Sequence, residues 1–321
     1  MGWLALVITL LLEQVHAMPA VNPVYSGAAV LADTAARNLN AGKARHGVYA
    51  WLLVVAGAML VTGVAYTLAR SVHWLAGLTI DVLVLFFALG FRHFSHHVTL
   101  IQTALAQGDL QQARRELTAW KRSSEPDFDA SDLDTPEIVR QSIEFGLLAS
   151  QRHVFGVFFW FVLLPGPVGA VLYRLSDYVA RSWNRPQTDG DASLPPDRFG
   201  AFAQRAFFWI DWLPARLAAL GFAIVGDFEG ALYCWRRVSH ASAPEIPSSR
   251  ALILGTASGA LGYRIVSAAE SAKFFDERGL EGAGLAEPDA NALRSAVGLA
   301  WRALVLWLIL LLLLTVVATF G

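Results

Sequence analysis

One cysteine, Cys234, stands in the whole chain, so no intrachain disulfide can brace the fold and the thiol leaves the redox compartment open. Charged residues are also scarce, at 16% against about 25% in ordinary soluble domains. That shortage points to lipid rather than to a large soluble core. The formal net charge of −1 and a pI near 6.7 exclude the basic excess that a nucleic-acid partner requires. There is no P-loop, no G-x-G-x-x-G, no G-x-S-x-G and no convincing Ser/His/Asp arrangement, which removes the common nucleotide-cradling and nucleophilic-hydrolase signatures. No internal repeat is visible. What the chain does have is apolar mass: 55% hydrophobic residues, a mean hydropathy of +0.46 and 11 tryptophans suited to interfacial belts. The composition is that of a membrane protein.

The start, MGWLALVITLLLEQVHA, has signal-peptide length but lacks the basic leader a signal needs, so residues 1–17 are expected to be a retained short membrane segment. Residues 48–69 carry no charge and can cross a ~30 Å hydrocarbon core. Residues 74–91 make a second span with one acid, Asp81, and the two are expected to form a hairpin. Arg37, Lys43 and Arg45 before it and Arg92 after it put both outer flanks in the cytoplasm. Residues 98–152 read as soluble helices, with Asp109 capping one of them and Thr135-Pro136-Glu137 opening another. Residues 154–173 are apolar but interrupted by Pro165-Gly166-Pro167, which predicts a broken or re-entrant segment. A polar loop follows at 184–197. Residues 227–296 are amphipathic, and 300–320 form an unambiguous final span. The expected fold is all-α: a polytopic helical membrane protein with a broken segment and amphipathic helical loops. Its expected parts are 1–97, 98–152, 153–226, 227–296 and 297–321.

Several stretches could carry chemistry. In AFFWIDWLPARLAALGFAIVG (206–226), Pro214 suggests a fresh helix starting near Leu213. Asp211 would then lie just before that helix's positive end, and Arg216 in its first turn. The plainer alternative is an interfacial helix that snorkels both charges. In RHFSHH, His93, His96 and His97 share a helix face, a spacing zinc can use. A closed site usually takes four ligands, so an interfacial or anion-facing patch with Arg92 is the preferred reading and no metal is expected. Glu144 could act as a general base or magnesium ligand, or simply face solvent. The small residues of GTASGALG (255–262) suit close helix packing better than phosphate binding.

Taken together, these motifs resemble the CobD/CbiB–AmpE superfamily of integral membrane proteins, nearly end to end. NPV (22–24) resembles the family's early His-Pro-Val, with Asn22 in place of histidine. Arg92 and His97 match L-R-x-L-x-x-H, and GDLQQAR (108–114) matches G-D-L-x-x-A-R. FFWFVLLPGPVGAVLYR (158–174) resembles F-W-x-x-x-G-G-x-P-G-A-x-x-Y-R. RAFFWIDWLPARLAAL (205–220) resembles R-L-D-D-L-L-N-W-I-P-A-R-L, and SGALGYRI (258–265) resembles A-G-A-L-G-V-R-L. The resemblance implies a bacterial inner-membrane, multi-pass protein. It also implies adenosylcobinamide-phosphate synthase activity, which joins a side-chain carboxyl of adenosylcobyric acid to an amino-alcohol phosphate with ATP and magnesium.

The departures from the family pattern are concentrated in its acids. In E-x-x-x-E-N-x-x-D-G, Glu144 survives, but Leu148, Ala149, Arg152 and His153 replace the rest. Phe207 and Phe208 replace an aspartate pair, Asp211 replaces an asparagine, and N-T-x-D becomes Asp177 to Ala180. What remains is cationic: Arg92, His97, Arg174, Arg205, Arg216 and Arg264. The expectation is therefore a catalytically degenerate, AmpE-like accessory or regulatory component without cofactors. Arg174, Arg205 and Arg216 would form an anion-binding concavity for a phosphorylated or corrinoid ligand, and the partners would be the bilayer and membrane or cell-wall pathway proteins. The alternative is a divergent synthase using ATP and magnesium through Glu144, Asp177 and Asp211. A transporter is a weaker third reading, since no paired broken segment appears.

Overall fold

The computed structural model describes residues 2–15, 23–40, 43–89, 91–122, 124–125, 127–184, 198–242, 246–266 and 284–320; the side chains of 14–15, 23–25, 91–95 and 318–320 are left aside. Among the described residues there are helices and no strand, only an isolated bridge between Tyr263 and Ala286. The protein is an all-α, polytopic membrane protein. Four helices are long and apolar enough to cross a bilayer, over Ala44–Val72, Thr135–Leu163, Ala201–Val225 and Ala290–Val317.

The chain forms two compact units, residues 1–90 with 152–213, and residues 91–151 with 214–321. The first unit opens with α1 (Gly2–Val15) and α2 (Pro23–Leu39). α3 (Ala44–Val72) contains a π-helical stretch at Leu52–Ala56, and α4 is Trp74–Ala88. His73 separates α3 from α4, and its Nδ1 accepts the Leu75 amide at 3.2 Å. The expected hairpin therefore forms, but its second arm is 15 residues long. At 1.5 Å per residue it reaches about 22 Å, short of a ~30 Å core. α1 packs on α4. α2 is tied in by Trp183, whose indole donates to the Ala32 carbonyl at 3.2 Å, above a small cluster of Val54, Val179 and Ala203.

The helix expected to begin at Thr135 does not stop at residue 152. α7 (Thr135–Leu163) runs on through a π-helical stretch at Gln151–Phe155, which carries the ladder across the point where the apolar segment begins. Its cap is Asp134, one residue before the expected Thr135, accepting the Glu137 amide at 3.0 Å. The predicted break is present: the chain turns at residues 164–167 and resumes as α8 (Val168–Ser182). Gly166 sits at φ 64, where a Cβ would also strike the Tyr66 ring at 2.6 Å. Gly169 lets the two arms meet, its Cβ position lying 1.8 Å from the Trp160 carbonyl oxygen.

Pro214 does not start a helix. α9 (Ala201–Val225) is continuous, with Pro214 in its interior. An interior proline costs about 3 kcal/mol, largely because the carbonyl four residues back loses its donor. Here that carbonyl, on Ile210, accepts the Trp160 indole N–H at 3.0 Å. A side chain from α7 supplies the hydrogen bond that proline removes, so the helix continues.

The second unit contains α5 (Phe91–Ala106), α6 (Leu110–Lys121), α10 (Phe228–Ala241), α11 (Ser249–Leu261) and α12 (Ala290–Phe320). Asp109 caps α6 as expected, accepting the Gln112 amide at 2.8 Å. The small residues of 255–262 do pack closely: a Cβ on Gly259 would lie 2.1 Å from the Gly230 carbonyl oxygen, so α10 and α11 touch backbone to backbone. α11 ends at Gly262, left-handed at φ 74.

Candidate functional site

The strongest concentration of buried charge lies in the first unit, on α8 and the π-helical stretch of α7. Arg174, Asp177 and Arg181 occupy positions i, i+3 and i+7 of α8, one face of an amphipathic helix. The Asp177 side chain is fully buried. Its Oδ1 accepts Arg181 Nε at 3.1 Å and its Oδ2 accepts Arg181 Nη2 at 2.5 Å, a two-pronged pairing. Arg174 Nη1 lies 3.5 Å from Oδ2, and Arg152 Nε, delivered by α7, lies 3.9 Å from Oδ1. Arg174 is only 8% exposed, whereas Arg152 and Arg181 are each 39% exposed.

Burial pushes the Asp177 carboxyl up, but Arg181, Arg152 and Arg174 together outweigh it and hold it at about 2. Burial draws the Arg174 guanidinium down to about 10 against the pull of Asp177. Three guanidinium groups thus face one permanent carboxylate. The surplus is positive, and two of the three cations reach the surface. Such an arrangement attracts an anion with planar, bidentate donors, the geometry that suits phosphate or carboxylate.

One turn back on α8, the buried Tyr173 hydroxyl donates to Asp211 Oδ1 at 2.6 Å. Asp211 was expected before a helix start; it sits instead inside continuous α9, 5% exposed. Its neighbour on that bond is a phenol rather than a helix N-terminus.

The other expected residues have settings of their own. Arg205 is exposed on α9 and takes no part in the Asp177 ion pairs. Arg216, half-buried, belongs to the second unit, as do Glu144, His97 and Arg264. Glu144, in the second unit, does not face solvent: it is 13% exposed and ion-paired with Arg250. Arg264 pairs with Glu287 at 3.4 Å. His97 stacks on Trp120 with ring centroids 5.6 Å apart, and Trp120 meets Phe145 edge to face. The side chains of Arg92 and His93 lie outside the described residues.

Of the three acids expected to hold magnesium, the two in the first unit already have partners: arginines for Asp177 and the Tyr173 hydroxyl for Asp211. Mg²⁺ takes oxygen ligands, commonly one or two carboxylates with substrate phosphates. Both Asp177 oxygens are occupied by guanidinium groups, and Glu144 is held by another. Among the described residues no three His, Cys, Asp or Glu side chains gather to hold a metal. Asp177, with both oxygens facing guanidinium groups, does not fit the ion.

Three participants escaped the sequence reading: Arg152, Arg181 and Tyr173. The R-x-x-D-x-x-x-R spacing of α8 was a usable signal for Arg181. Arg152 had registered only as a replacement for an acid.

Comparison with known proteins agrees with the motif pattern. The family model described as CobD/Cbib protein matches residues 3–300. A protein of Stutzerimonas stutzeri called Cobalamin biosynthesis protein CobD is 32% identical over 287 residues, covering 88% of each chain. A protein of the same name from Chromobacterium violaceum is 33% identical over 244 residues, covering 76% of this chain and 72% of the relative. Another from Photorhabdus laumondii is 28% identical over 224 residues, covering 67% and 64%. No solved structure matches.

Proposed function

This chain belongs to the CobD/CbiB family, and on that footing we propose that it works in cobalamin biosynthesis as a multi-pass protein of the bacterial inner membrane. The observation that carries the reading is similarity along almost the whole chain, including both arms of the site, to relatives named for that pathway. In this reading it is a divergent adenosylcobinamide-phosphate synthase, and the arginines around Asp177 receive the phosphate of the amino-alcohol phosphate. Arg152 and Arg181, partly exposed, make the contact. Asp177 fixes their orientation, and Arg174 keeps the buried carboxylate charged. ATP and magnesium would supply carboxyl activation, but no described residue of this site is suited to hold the metal, and no step is derived through it.

The same cluster favours a second reading, an AmpE-like accessory component. Arg152 and His153 stand where the family motif carries an acid and a glycine, and Glu144 and Asp177 are each neutralised by arginine. Complementation separates the two. A strain lacking adenosylcobinamide-phosphate synthase, fed cobyric acid and expressing this chain, should grow in a cobalamin-dependent manner, and Arg181→Gln should abolish that growth. Absence of growth, with the protein present in the membrane fraction, overturns the synthase reading and leaves the accessory one.

A further inference from the structure

A second concentration of positive charge lies on α6 and the loop after it, wholly within the second unit. Arg114, Arg115 and Arg122 line an open cleft of about 440 Å³ together with Gln111, Thr118 and Ser131. Arg114 Nε donates to the Leu133 carbonyl at 2.9 Å and Arg122 Nε to the Phe128 carbonyl at 3.0 Å. Each guanidinium is thus held through its Nε at the cleft, and neither of these bonds uses its terminal nitrogens. Arg115 reaches only Gln111 Oε1, at 3.5 Å. Thr118 Oγ1 accepts the Ala130 amide at 3.1 Å, which leaves its O–H to donate.

The loop carries five acids, and three of them hold other partners. Glu125 pairs with Lys121 at 3.6 Å, and Asp134 caps α7. Asp129, which also lines the cleft, accepts the Ser131 amide and hydroxyl at 3.2 and 2.8 Å. Among the described residues, Arg114, Arg115 and Arg122 form no ion pair within 4.0 Å. A chain short of charge has placed three arginines around one hollow that Asp129, the one carboxylate lining it and an electrostatic neighbour of Arg122, leaves with a positive surplus. Guanidinium forks pre-positioned in this way match the oxygens of a phosphate.

We propose that the α6 cleft is a phosphate-binding site, taking either a small soluble phosphate ester or the phosphate of a lipid headgroup. The inference rests on the second unit alone and is independent of the cobalamin reading, which could fail without touching it. The cleft has room for more than a bare ion, since small-molecule sites begin near 300 Å³.

The test is arginine footprinting of the full-length protein in phosphatidylcholine nanodiscs. Phenylglyoxal modification of Arg115 and Arg122 is followed by peptide mass spectrometry, so binding at the Asp177 cluster does not enter the readout. One arm adds inorganic pyrophosphate and is compared with chloride at equal ionic strength; the other replaces part of the lipid with phosphatidic acid. Protection by dissolved pyrophosphate identifies a soluble ligand, and protection by phosphatidic acid alone identifies a headgroup. In Arg115→Gln, an exposed substitution that leaves the α6 core of Leu117 and Trp120 intact, the amount of the protecting probe needed for half-protection of Arg122 should rise about tenfold, the loss of one charge-assisted hydrogen bond. Equal modification rates in every arm, or an unchanged half-protection point in Arg115→Gln, overturns the site.

Discussion

Asp177→Asn isolates what the buried carboxylate contributes, because it removes one charge and almost no volume. The carboxyl titrates at about 2 in the fold against about 3.9 in an unfolded chain, and one pKa unit corresponds to 1.36 kcal/mol, so ionisation of this group favours the fold by about 2.5 kcal/mol. The variant forfeits that contribution and also leaves Arg174, 8% exposed, without its counter-charge. Breaking a buried pair by removing one partner costs about 3–5 kcal/mol. Arg152 and Arg181 are each 39% exposed, so water compensates them, and the expected loss lies toward the lower end, about 3 kcal/mol. Thermal unfolding in detergent, followed by tryptophan fluorescence, should show a fall in Tm on the order of 5–10 °C.

A second substitution makes the reasoning refutable. If the loss comes from an uncompensated guanidinium, Arg174→Met in the Asp177→Leu background should restore most of it, since apolar replacement of a whole buried pair is often neutral. An additive double variant, or an Asp177→Asn protein melting with the wild type, would refute the account. Acid provides an independent check. The folded pKa lies below the unfolded one, so the contribution is complete above pH ~4 and is lost as the pH falls through about 2. The stability of Asp177→Asn should be flatter than that of the wild type across this window.

Other expectations follow from close contacts and single hydrogen bonds. Trp160→Phe keeps the ring volume but withdraws the donor from the Ile210 carbonyl; it should cost about 1 kcal/mol, and Trp160→Phe/Pro214→Ala should be insensitive to the loss, both measured by thermal unfolding. Gly169→Ala places a methyl 1.8 Å from the Trp160 carbonyl oxygen; the two arms of the break must part, at 1–3 kcal/mol or about that range, with lower yield in the membrane as the readout. Tyr173→Phe takes a buried hydroxyl from Asp211 and should destabilise by about 1–3 kcal/mol, whereas Phe207→Leu beside the same ring should cost less. Gly259→Ala should separate α10 from α11, seen as faster proteolysis after residue 241 with α3 and α4 unaffected.

Much of the architecture was legible because its causes are local. Asp109 announces a cap through its own side chain, Pro165-Gly166-Pro167 breaks a ladder wherever it occurs, and Gly255–Gly262 reads as a packing face from composition. The continuity of α9 was not legible, since Pro214 is tolerated only because an indole 50 residues earlier reaches the orphaned Ile210 carbonyl. The continuity of α7 was hidden for a related reason. A π-helical stretch adds a residue to a turn and rotates the frame of everything after it, so a 3.6-residue period cannot place Arg152. The site was half visible: Arg174 and Asp177 were named, while Arg181, one turn on along α8, was passed over and Arg152 came from that rotated frame.

The replacement of an acid by Arg152 therefore has a structural meaning beyond loss. An aspartate delivered by the π-helical stretch toward Asp177 would set two carboxylates together, an arrangement that needs a cation to be stable. Arginine at the same place reverses the requirement: with Arg174 and Arg181 it leaves a surplus of positive charge around a carboxylate held at about 2, which favours an anion. On the proposed reading, Arg152 thus suits the surroundings of Asp177 to a phosphate rather than to a metal ion. The reverse change tests this directly. Arg152→Asp should weaken phosphate binding and lower stability by like-charge repulsion with Asp177, and added magnesium should recover part of the lost Tm. Failure of magnesium to raise the melting temperature of that variant above wild type's own response would show that the two positions do not share a ligand.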